Sequence, residues 1–190
     1  MRITICMRLG ATALAVVALC GCAGAMSDVV VPINLNGRAP EVRQEAAPAD
    51  IEVYDLRRGS TMRRTTIGEI SMGSIILSPP EKELVRLIVS DALQRAVAGR
   101  TPPSPRPKVS CGIKAFNVVT PATALYWDVT ARIELILRIE GVERTVAGEA
   151  EERTYVWPSA EIIGQVTTRA LQQVASAVER ELPLLLGASP

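Results

Sequence analysis

Three features of the sequence predict an α+β fold of two layers, an antiparallel sheet of about four strands with two helices packed on one face. The first is residues 127–140, where Val129, Ala131, Ile133, Leu135, Leu137 and Ile139 alternate with Asp128, Thr130, Arg132, Glu134, Arg138 and Glu140. A period of two over this length describes a strand with one buried and one wet face. The second is Glu140-Gly141, a tight-turn signal that leads into a further strand over residues 142–155. The third is a pair of segments with helical spacing. Leu84, Val85, Ile88, Ala92 and Ala96 mark one, and Ile163, Val166, Ala170, Val174 and Val178 mark the other.

The remaining elements follow in order. Residues 51–56, Ile-Glu-Val-Tyr-Asp-Leu, alternate as a half-buried strand. Residues 57–66, with Arg57-Arg58 and Arg63-Arg64, read as a polar loop, and Gly68 and Gly73 leave room for at most two short strand pieces over 67–77. Ser78, Pro79 and Glu81 form an S-x-x-E capping pattern ahead of the first helix, and Gly99 supplies its stop. The proline-rich residues 101–107 predict a stiff surface loop. Val109, Cys111 and Ile113 then occupy the apolar register of a strand. The last helix starts near Ser159, with Pro183 marking its end. The predicted order is β–(β)–α–β–β–β–α, with both helices on one sheet face.

The N-terminus is of a different kind. Arg2 and Arg8 precede an apolar run over residues 11–19, and Leu19-Cys20-Gly21-Cys22 closes it. This is an export signal too short to span a bilayer. Its end resembles the lipobox of bacterial lipoproteins, in which the peptide is cut before a cysteine that carries diacylglycerol. Cys22 is then the lipidated first mature residue, and the translation start is Met1 or Met7. The competing reading is an ordinary secretory signal cut after Ala23 or Ala25. Two or more acyl chains hold a protein firmly to a membrane, and a lipoprotein of this kind carries three. Ala23 follows the cysteine where an Asp would suggest inner-membrane retention, so the resemblance implies the periplasmic face of a Gram-negative outer membrane. The expected organisation is a signal peptide at 1–21, a lipidated N-terminus and flexible tether at 22–49, and one periplasmic domain at 50–187. Within the tether, Val29-Val30-Val31 is the one apolar patch, a possible edge strand set against the simpler reading of a linker.

Composition narrows the chemistry. The chain of 190 residues has 21 Lys and Arg against 20 Asp and Glu, and no histidine. Losing residues 1–21 removes Arg2 and Arg8 and no acid, so the formal charge moves from +1 to −1. A near-neutral body argues against nucleic acid as a partner. The absence of histidine removes the commonest general base and the commonest metal ligand. No metal, cofactor or catalytic residue is expected. Cys111, the one cysteine left beside Cys22, has no disulfide partner and reads as a buried inert thiol. Glu149, Glu151 and Glu152 cluster, but Glu149 and Glu151 share a strand face with Glu143 and Thr145, as a solvated face would. Lys82, Lys108 and Lys114 lie in no motif that activates a hydroxyl nucleophile. The chain is therefore expected not to be an enzyme.

The aromatic residues are more suggestive. Tyr126-Trp127 begins one strand and Tyr155-Val156-Trp157 ends the next, so a hairpin brings Tyr126, Trp127, Tyr155 and Trp157 to one rim of the sheet. Rigid amphipathic rings there suit a partner-binding surface. The alternative is an aromatic plug that packs a helix onto the sheet.

The lipobox, short tether and β–α–β–β–β–α body together resemble the YajG-like lipoprotein family of Gram-negative outer membranes. The segments that carry the resemblance are Ser78-Pro79-Pro80, Leu125-Tyr126-Trp127-Asp128 with the long strand, residues 148–158 and the closing helix. It implies no activity and no site residues. A neighbouring resemblance is to the auxiliary lipoproteins of lipid-transporting ABC systems. The expectation is a non-enzymatic lipoprotein that binds a protein partner in envelope assembly or maintenance. The alternative is a transporter auxiliary or a binder of hydrophobic ligands.

Overall fold

The structure, a computed structural model, describes residues 27–35, 49–59, 61–98 and 107–187. The signal segment, Cys22, Gly99 and residues 101–106 lie outside the described residues. The elements are β1 (Val29–Pro32), β2 (Asp50–Asp55), β3 (Thr61–Thr65), β4 (Ser71–Ser78), α1 (Glu81–Val97), β5 (Lys108–Thr120), β6 (Trp127–Ile139), β7 (Val142–Thr154) and α2 (Ala160–Leu185).

The antiparallel meander expected from the long strand is present as β5-β6-β7. Its turn has φ of 49° at Glu140 and 83° at Gly141, the two positive values that a two-residue hairpin of matching twist requires. The sheet, however, is larger than about four strands and is mixed. Among the described residues seven strands pair, in the order β1-β4-β3-β5-β6-β7 with β2 also paired to β5. β1 pairs parallel to β4, and both β2 and β3 pair parallel to β5. β2 takes residues 108–113 of β5 and β3 takes 117–120, so one long strand carries two short ones end to end.

Two of the additional strands come from segments that read as linker or loop. β1 lies where a tether was expected, because Val31 is completely buried between β4 and α2. β3 lies inside the supposed polar loop, because Arg64 is buried despite its charge. β4 is a single strand of eight residues rather than two pieces.

Both helices cover one face of the sheet, as expected, and contact each other. Beneath them Val109, Cys111 and Ile113 of β5 align with Ile139, Leu137 and Leu135 of β6, all fully or almost fully buried. A bulge between Ile113 and Ala115 shifts the parity, so Phe116 and Val118 continue the same buried face. Ile163, Val166, Ala170, Val174 and Val178 of α2 are all buried against this sheet.

The helix ends are only partly as predicted. Ser159 caps α2, its hydroxyl accepting from the Ile162 N–H at 3.3 Å. Pro183 does not end α2, which runs on to Leu185. The S-x-x-E box at Ser78 does not form: Pro80 is the N-cap of α1 and no side chain caps it. Ser78 instead closes β4, paired with Pro32, and its carbonyl accepts from the Ile33 N–H at 2.8 Å. Glu81 in the first turn of α1 meets Arg57, which also holds Asp55 at 2.7 Å. That hydrogen-bonded Arg57 partner depresses the Asp55 carboxyl to about 2.

Candidate functional site

Strand direction decides which loops meet. β3, β5 and β7 finish at one end of the sheet, and β1, β4 and β6 begin there. That rim gathers residues 66–70, 121–126 and 155–159, together with Ser27 where the chain enters β1.

The four sequence-predicted aromatic residues come together at this rim as two edge-to-face pairs. Tyr126 and Tyr155 have ring centroids 6.3 Å apart, and Trp127 and Trp157 are 5.6 Å apart. Trp127 shares its register with buried Val129 and Ala131, so it lies on the helix-covered side. Tyr126 and Tyr155 belong to the opposite register, beside the Arg153–Asp128 ion pair of the open face. Arg153 lies 3.9 Å over the Tyr126 ring and donates to Asp128 at 2.8 Å, which raises the arginine's pKa. On the other side Arg64 lies 5.3 Å over the Trp157 ring and donates to the Ser27 carbonyl. Burial pushes its pKa down, partly offset by Asp28.

The rim therefore divides by role. Trp157 is half-buried between Trp127 and Arg64, whereas Tyr155 is 73 % exposed. Trp157→Ala should cost about 2 kcal/mol in a denaturant melt, less than a fully buried tryptophan would. Tyr155→Ala should stay within about 0.5 kcal/mol of the parent. Equal costs would contradict the split between packed and presented rings.

Of the remaining sequence candidates for chemistry, Cys111 is buried, Lys108 and Lys114 are ion-paired, and Glu149, Glu151 and Lys82 are exposed. Cys111 is fully buried, and burial pushes its thiol up to about 12, so it holds its proton at neutral pH. Glu149 and Glu151 are exposed on one face of β7, while Glu152 turns to the other face and pairs with Arg169 of α2. Lys108 pairs with Glu52 at 3.1 Å and Lys114 with Glu134 at 2.6 Å. Among the described residues no group of three or more acidic or cysteine side chains is placed to hold a metal.

A second surface was missed by the sequence reading. On the open face, at the opposite end from the aromatic rim, β2, β5, β6 and the start of β7 enclose a shallow recess of about 350 Å³. Its floor is apolar, formed by Tyr54, Leu56 and Ile136, and Glu52, Arg138 and Glu143 stand around it. Gly112 makes the floor possible: a Cβ there would lie 2.7 Å from Leu56 Cδ1 and 2.9 Å from Tyr54 Cε2. The available signal was Ile136, the one apolar residue in the polar register of the long strand.

No family model matches the chain, and no curated protein matches it. Among solved structures it is similar to an uncharacterized protein, at 12 % identity over 82 % of this chain and 97 % of that one, with a TM-score of 0.43. It is similar to a candidate lipoprotein from Caulobacter crescentus CB15, at 13 % identity over 75 % and 95 %, TM-score 0.36. A Xanthomonas campestris protein of the DUF330 family is 11 % identical over 84 % and 95 %, TM-score 0.39. None of the three is named as YajG-like, and likenesses of this size assign no function.

Proposed function

We propose that this chain is a lipid-anchored protein of the Gram-negative envelope, on the periplasmic face of the outer membrane, that acts by binding a protein partner. The anchor rests on the lipobox ending at Cys22 and on Ala23 behind it, and the resemblance to YajG-like lipoproteins points the same way. Among the described residues no helix is long and apolar enough to cross a membrane, which accords with attachment through an acylated cysteine. Binding rather than catalysis is supported by the fates of the candidate groups: a buried protonated thiol, an outward-facing glutamate pair and the ion-paired Lys108 and Lys114.

The observation that carries partner binding is the recess over Gly112. An apolar floor enclosed by charges of both signs is the arrangement of a protein contact, where a desolvated centre supplies affinity and the surrounding charges set orientation. The complementary partner presents one apolar side chain to this floor, flanked by polar groups that meet the Arg138–Glu143 and Lys108–Glu52 ion pairs at its edge. This site replaces the aromatic rim as the protein contact.

Two variants test the reading. Cys22→Ala should abolish palmitate labelling and leave unprocessed precursor, and normal processing of that variant would refute the anchor. A photo-crosslinker at position 54 should capture one envelope protein in intact cells. Ile136→Arg should remove that adduct while keeping stability within about 1 kcal/mol of the parent. An adduct that survives Ile136→Arg would refute the recess as the contact.

A further inference from the structure

We infer that the aromatic rim is the face on which the domain sits against the lipid bilayer, with Leu125, Val156, Tyr155, Ile67 and Ile70 entering the headgroup region. This goes beyond the protein contact and rests on the acylation of Cys22.

Exposure points to the rim first. Ten large hydrophobic side chains are exposed among the described residues, and five of them, Ile67, Ile70, Leu125, Tyr155 and Val156, lie in its three loops at 60–78 % exposure. The loops are tied to one another through the sheet. Thr65 pairs with Ser71 below the 66–70 turn, where the Thr66 N–H donates to the Ile70 carbonyl at 2.9 Å. Trp127 pairs with Thr154, so the loops that precede β6 and follow β7 are neighbours. Apolar tips of this density at one end of a water-facing body mark a contact surface.

The position of the anchor identifies what that surface meets. The chain enters the fold at the same rim and is held there. The Ser27 carbonyl accepts from Arg64, and the Asp28 carboxylate accepts from the Ser74 N–H at 2.7 Å. Gly73 permits the approach, since a Cβ at that position would lie 2.4 Å from the Ser27 carbonyl oxygen. Ser27 is five residues after Cys22, a distance of at most about 17 Å for extended chain. β6, with 13 residues, runs about 43 Å from the rim to the far turn at a strand rise of about 3.3 Å. The tether cannot turn the far end toward the membrane. It keeps the rim within reach of the headgroups.

The chemistry of the rim fits the same partner. Tyrosine and tryptophan favour the membrane–water boundary, where one part of the ring meets apolar chains and the polar atom stays wet. Leu125, Val156, Ile67 and Ile70 supply aliphatic tips that gain by leaving water. Seating the rim also places the Ser110 end of β5, and with it the recess over Gly112, about 30 Å from the bilayer, given ten residues of strand back from Thr120. The protein-binding site then projects into the periplasm.

The test uses the full acylated chain reconstituted in phosphatidylethanolamine–phosphatidylglycerol vesicles. Leu125→Cys, Val156→Cys and Val142→Cys each introduce one reactive thiol, because acylation occupies the Cys22 sulfur and Cys111 is buried. Spin labels at positions 125 and 156 should be several-fold less accessible to a water-soluble nickel chelate, and more accessible to oxygen, than the label at 142. Mass spectrometry of the N-terminal peptide reports acylation in the same sample. Acylated protein with equal chelate access at all three positions would overturn the seating and leave the anchor standing. An unmodified Cys22 would overturn both. Protection of 125 and 156 that appears only when envelope proteins are added would assign the rim to a protein and overturn the lipid seat.

Discussion

Replacing Gly148 by alanine should cost about 3 kcal/mol, the upper part of the range for overpacked cores. Gly148 is the point at which β7 passes under α2. A Cβ there would lie 2.3 Å from the Ala170 carbonyl oxygen and 3.0 Å from Val174 Cγ2. The first obstacle is helix backbone, so no side-chain rotation relieves it. The helix has to lift, and Ala170, Val174 and Val178 then lose their contact with the sheet. The neighbouring hydrogen bond from the Glu149 N–H to Gln173 Oε1, 3.0 Å long, would stretch with it. Gly112→Ala is the natural comparison. Its nearest obstacles are the ends of the Leu56 and Tyr54 side chains, which can swing aside, so it should cost no more than about 1 kcal/mol. Urea denaturation of the two variants beside the parent measures both. If Gly148→Ala unfolds with the parent midpoint, α2 does not cross β7 at the spacing described.

The contrast between these glycines shows where sequence reasoning reaches and where it stops. Glu140-Gly141 was legible because the turn's requirement for positive φ is local to two residues. The buried face of β6 was legible because alternation over a whole strand is a one-dimensional signal. The apolar stripe of α2 was legible for the same reason. Gly148 was not, because its constraint comes from a helix that follows it in the chain and returns over the sheet. β1 failed on similar grounds: its four residues resemble a linker, and only pairing with distant β4 buries Val31. The same pairing removes Ser78 from its expected capping role. β3 was hidden by Arg64, a charge that sequence reasoning sends to solvent and the fold places over Trp157. On β5 the bulge after Ile113 ended the alternation too early to read Phe116 and Val118 as core.

The candidate site divides in the same way. The meeting of Tyr126, Trp127, Tyr155 and Trp157 followed from the hairpin register, but the packing of Trp157 against Trp127 did not, because Tyr155 and Trp157 share one parity and only the turn after Thr154 carries Trp157 to the helix side. The recess over Gly112 was not legible as a site, because Tyr54 and Leu56 reach it from β2, whose parallel pairing with β5 crosses a long stretch of sequence.

Leu135→Ala should lower stability by about 2–5 kcal/mol, the range for truncating a fully buried leucine. Leu135 sits in the middle of β6, opposite Ile113 of β5 and Val146 of β7, and has no solvent exposure. Its neighbour Glu134 faces the open side and pairs with Lys114 at 2.6 Å. Glu134→Ala removes one partly exposed ion pair, so it should cost at most about 1 kcal/mol. The two adjacent positions thus test the two faces of the sheet at one place, with strand pairing left unchanged. Chemical denaturation of both variants gives the comparison directly. A large and similar cost at each would mean that the open face is covered as thoroughly as the helix face. Ile136 and the recess beside it would then lie inside the protein, and the surface proposed for the partner would have no route to it.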